Sequence, residues 1–138
     1  MLAGSCLAGM SFVKGLGLVH AISHMVGAEF DTHHGLTNAV TLPAVLRFNR
    51  PAIEHEVAPL AAAMGLNGTD FDTFYAAVVT LLDELDIPRT LAELGVPEDA
   101  AWRLAEKAII DSAAGTNPRT ATPAEIETII KDAIRTGR

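Results

Sequence analysis

Apolar residues in this chain recur at intervals of three and four, and nowhere in a sustained alternation of two. The clearest stripe is Phe71, Phe74, Ala77, Val78, Leu81, Leu82 and Leu85, which share one face of a helical repeat. A second runs through Ile53, Val57, Leu60, Ala61 and Met64, and a third through Ile126, Ile129, Ile130 and Ala133. Start and stop signals frame these stripes. Thr122 and Glu125 have capping-box spacing, with Pro123 in the first helical position. Thr69 or Asp70 is placed to cap the Phe71 stripe. Gly65 and Asn67-Gly68 close the stripe before it, and Ile87-Pro88 breaks the one after. Pro97, with Glu98 and Asp99 behind it, opens a helix whose predicted core side is Trp102, Leu104, Ala105, Ala108 and Ile109. Trp102 reads there as a packing anchor. The pattern predicts an all-α helical bundle, a single domain over residues 1–138 with length enough for a real core.

Four of the five histidines, His20, His24, His33 and His34, fall between Gly15 and Asn49. A helix is expected from Leu16 to about Glu29, apolar on most sides and therefore buried. His20 and His24, four apart, share one of its faces. Phe-Asp-Thr-His-His-Gly then breaks the run, with Asp31 and Thr32 as capping-type residues and Gly35 leaving room beside His34. A bend there brings His34 back toward His20. Asn38 lies one turn beyond His34, placed either to face the site or to sit on the helix surface. Pro43 predicts a kink or an early-helix position, and Pro51 the start of a new helix. Imidazole is the commonest protein ligand for metals near neutral pH, so a divalent-metal site is one reading. Packed or exposed histidines without a metal are the other, and spacing alone favours neither. Ala21, Ile22 and Ser23 stand between His20 and His24, so the H-E-x-x-H pattern of metalloproteases is not met and no carboxylate base is in place for a hydrolase. His55, between Glu54 and Glu56, reads as a solvated histidine.

Composition removes several classes of function. A net charge of −7 with no basic stripe disfavours a phosphate backbone, and 5% aromatic residues leave little for base stacking, so no nucleic-acid partner is expected. Cys6 is alone, which rules out a disulfide framework and agrees with a reduced, cytoplasmic setting. The first thirteen residues, MLAGSCLAGMSFV, lack the charged start of a signal peptide and fall short of the roughly 20 apolar residues a membrane span needs. They are expected as a buried helix, as if the chain began inside a fold, with no membrane partner. The C-terminal end, with Lys131, Arg135 and Arg138, reads as a solvated helix terminus.

The histidine stretch also carries a resemblance. Gly17, His20, Ala21, His24, Gly27, His34, Gly35, Asn38, Ala39, Leu42 and Pro43 match, without a gap, the pattern G-x-x-H-A-x-x-H-x-x-G-x-x-x-x-x-x-H-G-x-x-N-A-x-x-L-P. That pattern resembles the signature of the iron-containing (group III) alcohol dehydrogenases. Asn117-Pro118-Arg119 and the run Thr122-Pro123-Ala124-Glu125-Ile126 resemble that family's C-terminal end, and Ala-Gly-Met-Ser-Phe the helix before its signature. The resemblance covers essentially this whole chain but only the later part of the family's protein. It implies that His20 and His34 bind a catalytic Fe2+ or Zn2+, and that His24, near the nicotinamide, takes part in proton transfer. It also implies an aspartate and a further histidine as ligands on an earlier helix, and an NAD(P)-binding domain before that; neither is visible here. The residue before His34, commonly proline in the family, is His33, which opens the prospect of an altered bend or an adventitious ligand.

The function implied is that of the metal and substrate side of an NAD(P)-dependent alcohol dehydrogenase, acting on a small alcohol or its aldehyde or ketone. With half of the ligand shell and no G-x-G-x-x-G loop, this chain is expected to bind metal weakly and to need an upstream nucleotide-binding domain or association with itself. The competing reading is a catalytically inactive helical module that acts in protein–protein association.

Overall fold

The computed structural model describes residues 2–138, which form seven α-helices and five short 3-10 turns, with no strand among them. Helix α1 spans Leu2–Ser11, α2 Gly17–Phe30, α3 His34–Ile53, α4 Val57–Ala63, α5 Phe71–Glu84, α6 Ala101–Ala108 and α7 Pro123–Arg135. The all-α expectation holds. No single described helix is long and apolar enough to cross a membrane, and α1 and α2 meet at a bend of 95°.

The core lies where α2, α3, α6 and α7 pack together. Leu18, Ile22 and Val26 of α2 meet Val40 and Val45 of α3, Leu104 of α6, and Ile126 and Ile130 of α7, each at most 2% exposed. Full burial of one such side chain stabilises by about 1.5–3 kcal/mol. Ala101, Ala105 and Ala108 present only methyl groups from α6, so its backbone can lie close to α2 and α7. Helix α5 rests against α3 and α4 against α5, where Val57, Ala61, Phe71 and Leu82 are buried apart from the main core. The expected caps at Asp70 and Thr122 are present, the latter as a full capping box with Glu125.

Several expectations are corrected. Pro51 does not open a helix; it sits in the last turn of α3, where its ring deprives only the Arg47 carbonyl of a donor. Asp31 and Thr32 do not cap α3. Asp31 takes a left-handed conformation (φ 52°) that terminates α2, and Thr32 accepts a hydrogen bond from the Thr37 hydroxyl at 2.7 Å. The cap of α3 is His33, whose Nδ1 accepts from the Leu36 N–H at 3.3 Å. Trp102 is 46% exposed, because α6 turns Ala101, Leu104, Ala105 and Ala108 inward and leaves position 102 on its flank. Arg138 is not solvated: its side chain is 2% exposed and donates to the Ile87 and Pro88 carbonyls and to Asp83. Helix α1 is apolar as expected but not buried, with Leu7 67% and Met10 64% exposed, since no other described element covers it. Met1 of that expected buried helix lies outside the described residues.

Candidate metal centre

Two helices and one remote loop build the site. Helix α2 presents His20 and, one turn on, His24; the break at residues 31–33 then turns the chain so that α3 begins with His34 against them. The ring centroids of His20 and His34 are 5.3 Å apart, those of His20 and His24 5.8 Å, and those of His24 and His34 5.4 Å. The rings of His24 and His34 are nearly parallel, at 14°. Phe12 closes one side, edge-on to His20 at 6.1 Å. The three histidines singled out in the sequence are thus together. His33 is not among them, since its ring is spent on the α3 cap, and His55 is exposed beside Glu56. Gly35 gives the site no special room: a methyl group there would only touch the His33 ring, at 3.5 Å.

Asn38 faces the site. Its amide nitrogen lies 3.3 Å from His20 Nε2 and 3.1 Å from His34 Nε2. Both Nε2 atoms thus lie within hydrogen-bond distance of one end of the Asn38 amide. The two ring nitrogens are therefore turned toward one point. Burial holds the His20 pKa below the ordinary histidine value, and the neighbouring His34 and His24 add to this; the Leu16 carbonyl and Asp111 act in the other direction. A neutral His20 is the form that can bind a metal. Among the described residues, the buried Asn38 Oδ1 and Thr41 Oγ1 have no hydrogen-bond partner, and His20 Nδ1 has at most the Leu16 carbonyl. A buried polar atom left unpaired costs about 1–3 kcal/mol.

Sequence reasoning missed three residues that set this geometry. Asp111, after α6, lies with Oδ2 3.0 Å from His24 Nδ1, while its Oδ1 accepts from the Ala113 N–H at 2.8 Å. Burial would raise its pKa, but the Ala113 N–H and His24 together outweigh that and leave it below the ordinary carboxylate range. Thr116 accepts from the Leu16 and Gly17 N–H groups, both at 3.1 Å, and Asn117 from the Leu18 N–H at 3.1 Å. Those are the free donors at the start of α2, so the 116–117 turn caps the histidine helix from outside it. Asn117 and Asn49 also exchange hydrogen bonds of 2.7 and 3.0 Å, which tie the same turn to α3. The only advance signal for this was the Asn-Pro-Arg sequence of the family's C-terminal end.

The donor set fits a divalent cation in part. Two imidazole nitrogens converge, but among the described residues no group of three His, Cys, Asp or Glu side chains is arranged to hold an ion. A separate groove of about 470 Å³, lined by Arg47, Phe48, Arg119, Glu125 and Asp132, contains none of the histidines, and both of its guanidiniums are paired with carboxylates.

Comparison with known proteins bears on the family and the fold. The sequence profile described as "Fe-containing alcohol dehydrogenase family, C-terminal" matches residues 1–134. The 1,3-propanediol dehydrogenase of Klebsiella pneumoniae is 39% identical over 140 aligned positions, covering 96% of this chain and 36% of that protein. The NAD-dependent methanol dehydrogenase of Bacillus methanolicus is 38% identical, covering 93% of this chain and 35% of that protein. Among solved structures, an alcohol dehydrogenase from Oenococcus oeni superposes with a TM-score of 0.85 at 33% identity, over 92% of this chain and 35% of that one. This chain spans about a third of the length of these relatives. With its profile match, its fold and its histidine cluster in agreement, the chain belongs to the iron-containing alcohol dehydrogenase family, as that family's C-terminal helical part.

Proposed function

We propose that this chain is the metal- and proton-handling part of an NAD(P)-dependent alcohol dehydrogenase that interconverts a small alcohol and its aldehyde or ketone. The observation that carries this is the convergence of His20 Nε2 and His34 Nε2 on the single amide nitrogen of Asn38. His20 and His34 are the residues that would hold an Fe2+ or Zn2+ ion. When bound, such an ion supplies Lewis acidity at the substrate oxygen. His20 and His34 would contribute their Nε2 lone pairs, with the Asn38 amide beside both. His24, stacked on His34, takes the proton that the alcohol gives up and returns it in the reverse direction. The sequence holds no G-x-G-x-x-G loop, and the described residues no strand–loop–helix cradle, for a dinucleotide. The cytoplasmic setting is proposed from the lone Cys6.

The test is complementation. The nucleotide-binding part of the K. pneumoniae 1,3-propanediol dehydrogenase, joined to this chain in place of its own C-terminal part, should form NADH or NADPH from a short alcohol when Fe2+ or Zn2+ is supplied. His34→Ala should abolish it. A folded, metal-loaded hybrid that forms no reduced cofactor from any short alcohol would contradict the reading. An association module is the second reading, favoured by the uncovered apolar face of α1. A monomer that resists concentration in light scattering would remove that support.

A further inference from the structure

The carboxylate of Asp111 is bound on both oxygens. Oδ1 accepts from the Ala113 N–H at 2.8 Å and Oδ2 lies 3.0 Å from His24 Nδ1. The first bond closes a tight turn on Asp111 itself, and that turn leads directly into Thr116 and Asn117, which cap α2. The carboxylate therefore has little freedom to turn away, and its side chain is only 15% exposed. A carboxylate accepts and does not donate, so the proton of the shared hydrogen bond belongs to His24 Nδ1. The ring nitrogen left over is Nε2, for which the protein offers no partner among the described residues.

We propose that Asp111 is the positioning residue of the proton-carrying histidine: it fixes His24 as the Nδ1–H tautomer, with Nε2 as the only atom able to receive a proton. This rests on the reading of His24 given above. In the step itself, the O–H bond of the alcohol breaks and an Nε2–H bond forms. His24 becomes an imidazolium whose added charge faces the Asp111 carboxylate, and the proton then leaves from Nε2 to solvent. Asp111 stays ionised throughout and touches neither substrate nor metal. The same division of labour operates wherever a carboxylate orients a histidine base. Its weight comes from the tautomer: with the proton on Nε2 instead, the ring has no lone pair where it is needed.

The experiment is a long-range 1H–15N correlation spectrum of the 15N-labelled chain at a pH where the imidazoles are neutral. His24 is expected with Nδ1 at a protonated-type shift and Nε2 at an unprotonated-type shift. In Asp111→Asn the amide oxygen can still accept from the Ala113 N–H, but its NH2 now donates to His24 Nδ1. The two His24 nitrogens should then exchange their shifts, while His20 and His34, which make no hydrogen bond to Asp111, keep theirs. Asp111→Glu should restore the original pattern at least in part. A wild-type His24 protonated on Nε2 would overturn the proposal, and so would a pattern left unchanged by Asp111→Asn. Should that variant fail to fold, the wild-type spectrum alone still decides. A Zn2+ titration of the same sample separates this inference from the functional reading: loss of metal response at His20 and His34 would sink the latter and leave the His24 tautomer intact.

Discussion

His20 and His34, fourteen residues apart in sequence, stand with ring centroids 5.3 Å apart at the contact of two helices. Neither makes a metal site by itself. The contact between α2 and α3 creates the pair, and the turn after α6 fixes where α2 starts.

That turn should therefore matter to stability out of proportion to its size. Asn117→Ala removes the acceptor of the Leu18 N–H and strands the buried Asn49 amide, which is 6% exposed. Leaving these groups unpaired is expected to cost about 2–4 kcal/mol. Urea denaturation should show the midpoint falling with the slope unchanged. A loss below about 0.5 kcal/mol would mean that the turn does not hold α2.

Helix α6 offers a paired comparison. Leu104 is fully buried, so Leu104→Ala should cost about 2–5 kcal/mol. Trp102, the larger residue but 46% exposed, should cost under about 1 kcal/mol when changed to alanine. Thermal unfolding of the two variants checks the order, and a reversed order would place the α6 face wrongly.

The α7 capping box predicts a pH effect. Glu125 is held below the ordinary carboxylate range by the Thr122 N–H and hydroxyl, with Arg119 adding to this. A depressed folded-state pKa contributes stability that is fully present above the unfolded-state value and lost as pH falls through the folded-state value. Melting temperature followed downward through the acidic range should fall more steeply for the wild type than for Glu125→Gln, which has no charge to lose. Parallel curves would show that the box acts through geometry alone.

Much of this was legible in the sequence, for physical reasons that also explain the gaps. His20 and His24 share a face because helical spacing places them there, and the Phe-Asp-Thr-His-His-Gly break announced the turn that brings His34 back. Spacing left Asn38 open between the site and the helix surface, and the packing of α3 on α2 turns it to the site. Asp111 was invisible because nothing local marks it. It stands 87 positions from His24 and reaches it only through the packing of α6 on α2. Trp102 and α1 mislead in a common way: apolar character states a demand for burial, whereas the facing elements decide whether it is met. His33 shows a third limit, since a polar ring beside a helix start competes for the site and for the cap, and the orphan Leu36 N–H wins it.

The most direct test of the account is a Zn2+ titration of the 15N-labelled chain, followed at the imidazole resonances of all five histidines. The account predicts weak binding that moves His20 and His34 together at Nε2, leaves His33 and His55 in place, and vanishes in His34→Ala. A response centred on His33 or His55, or one that persists unchanged in His34→Ala, would contradict it.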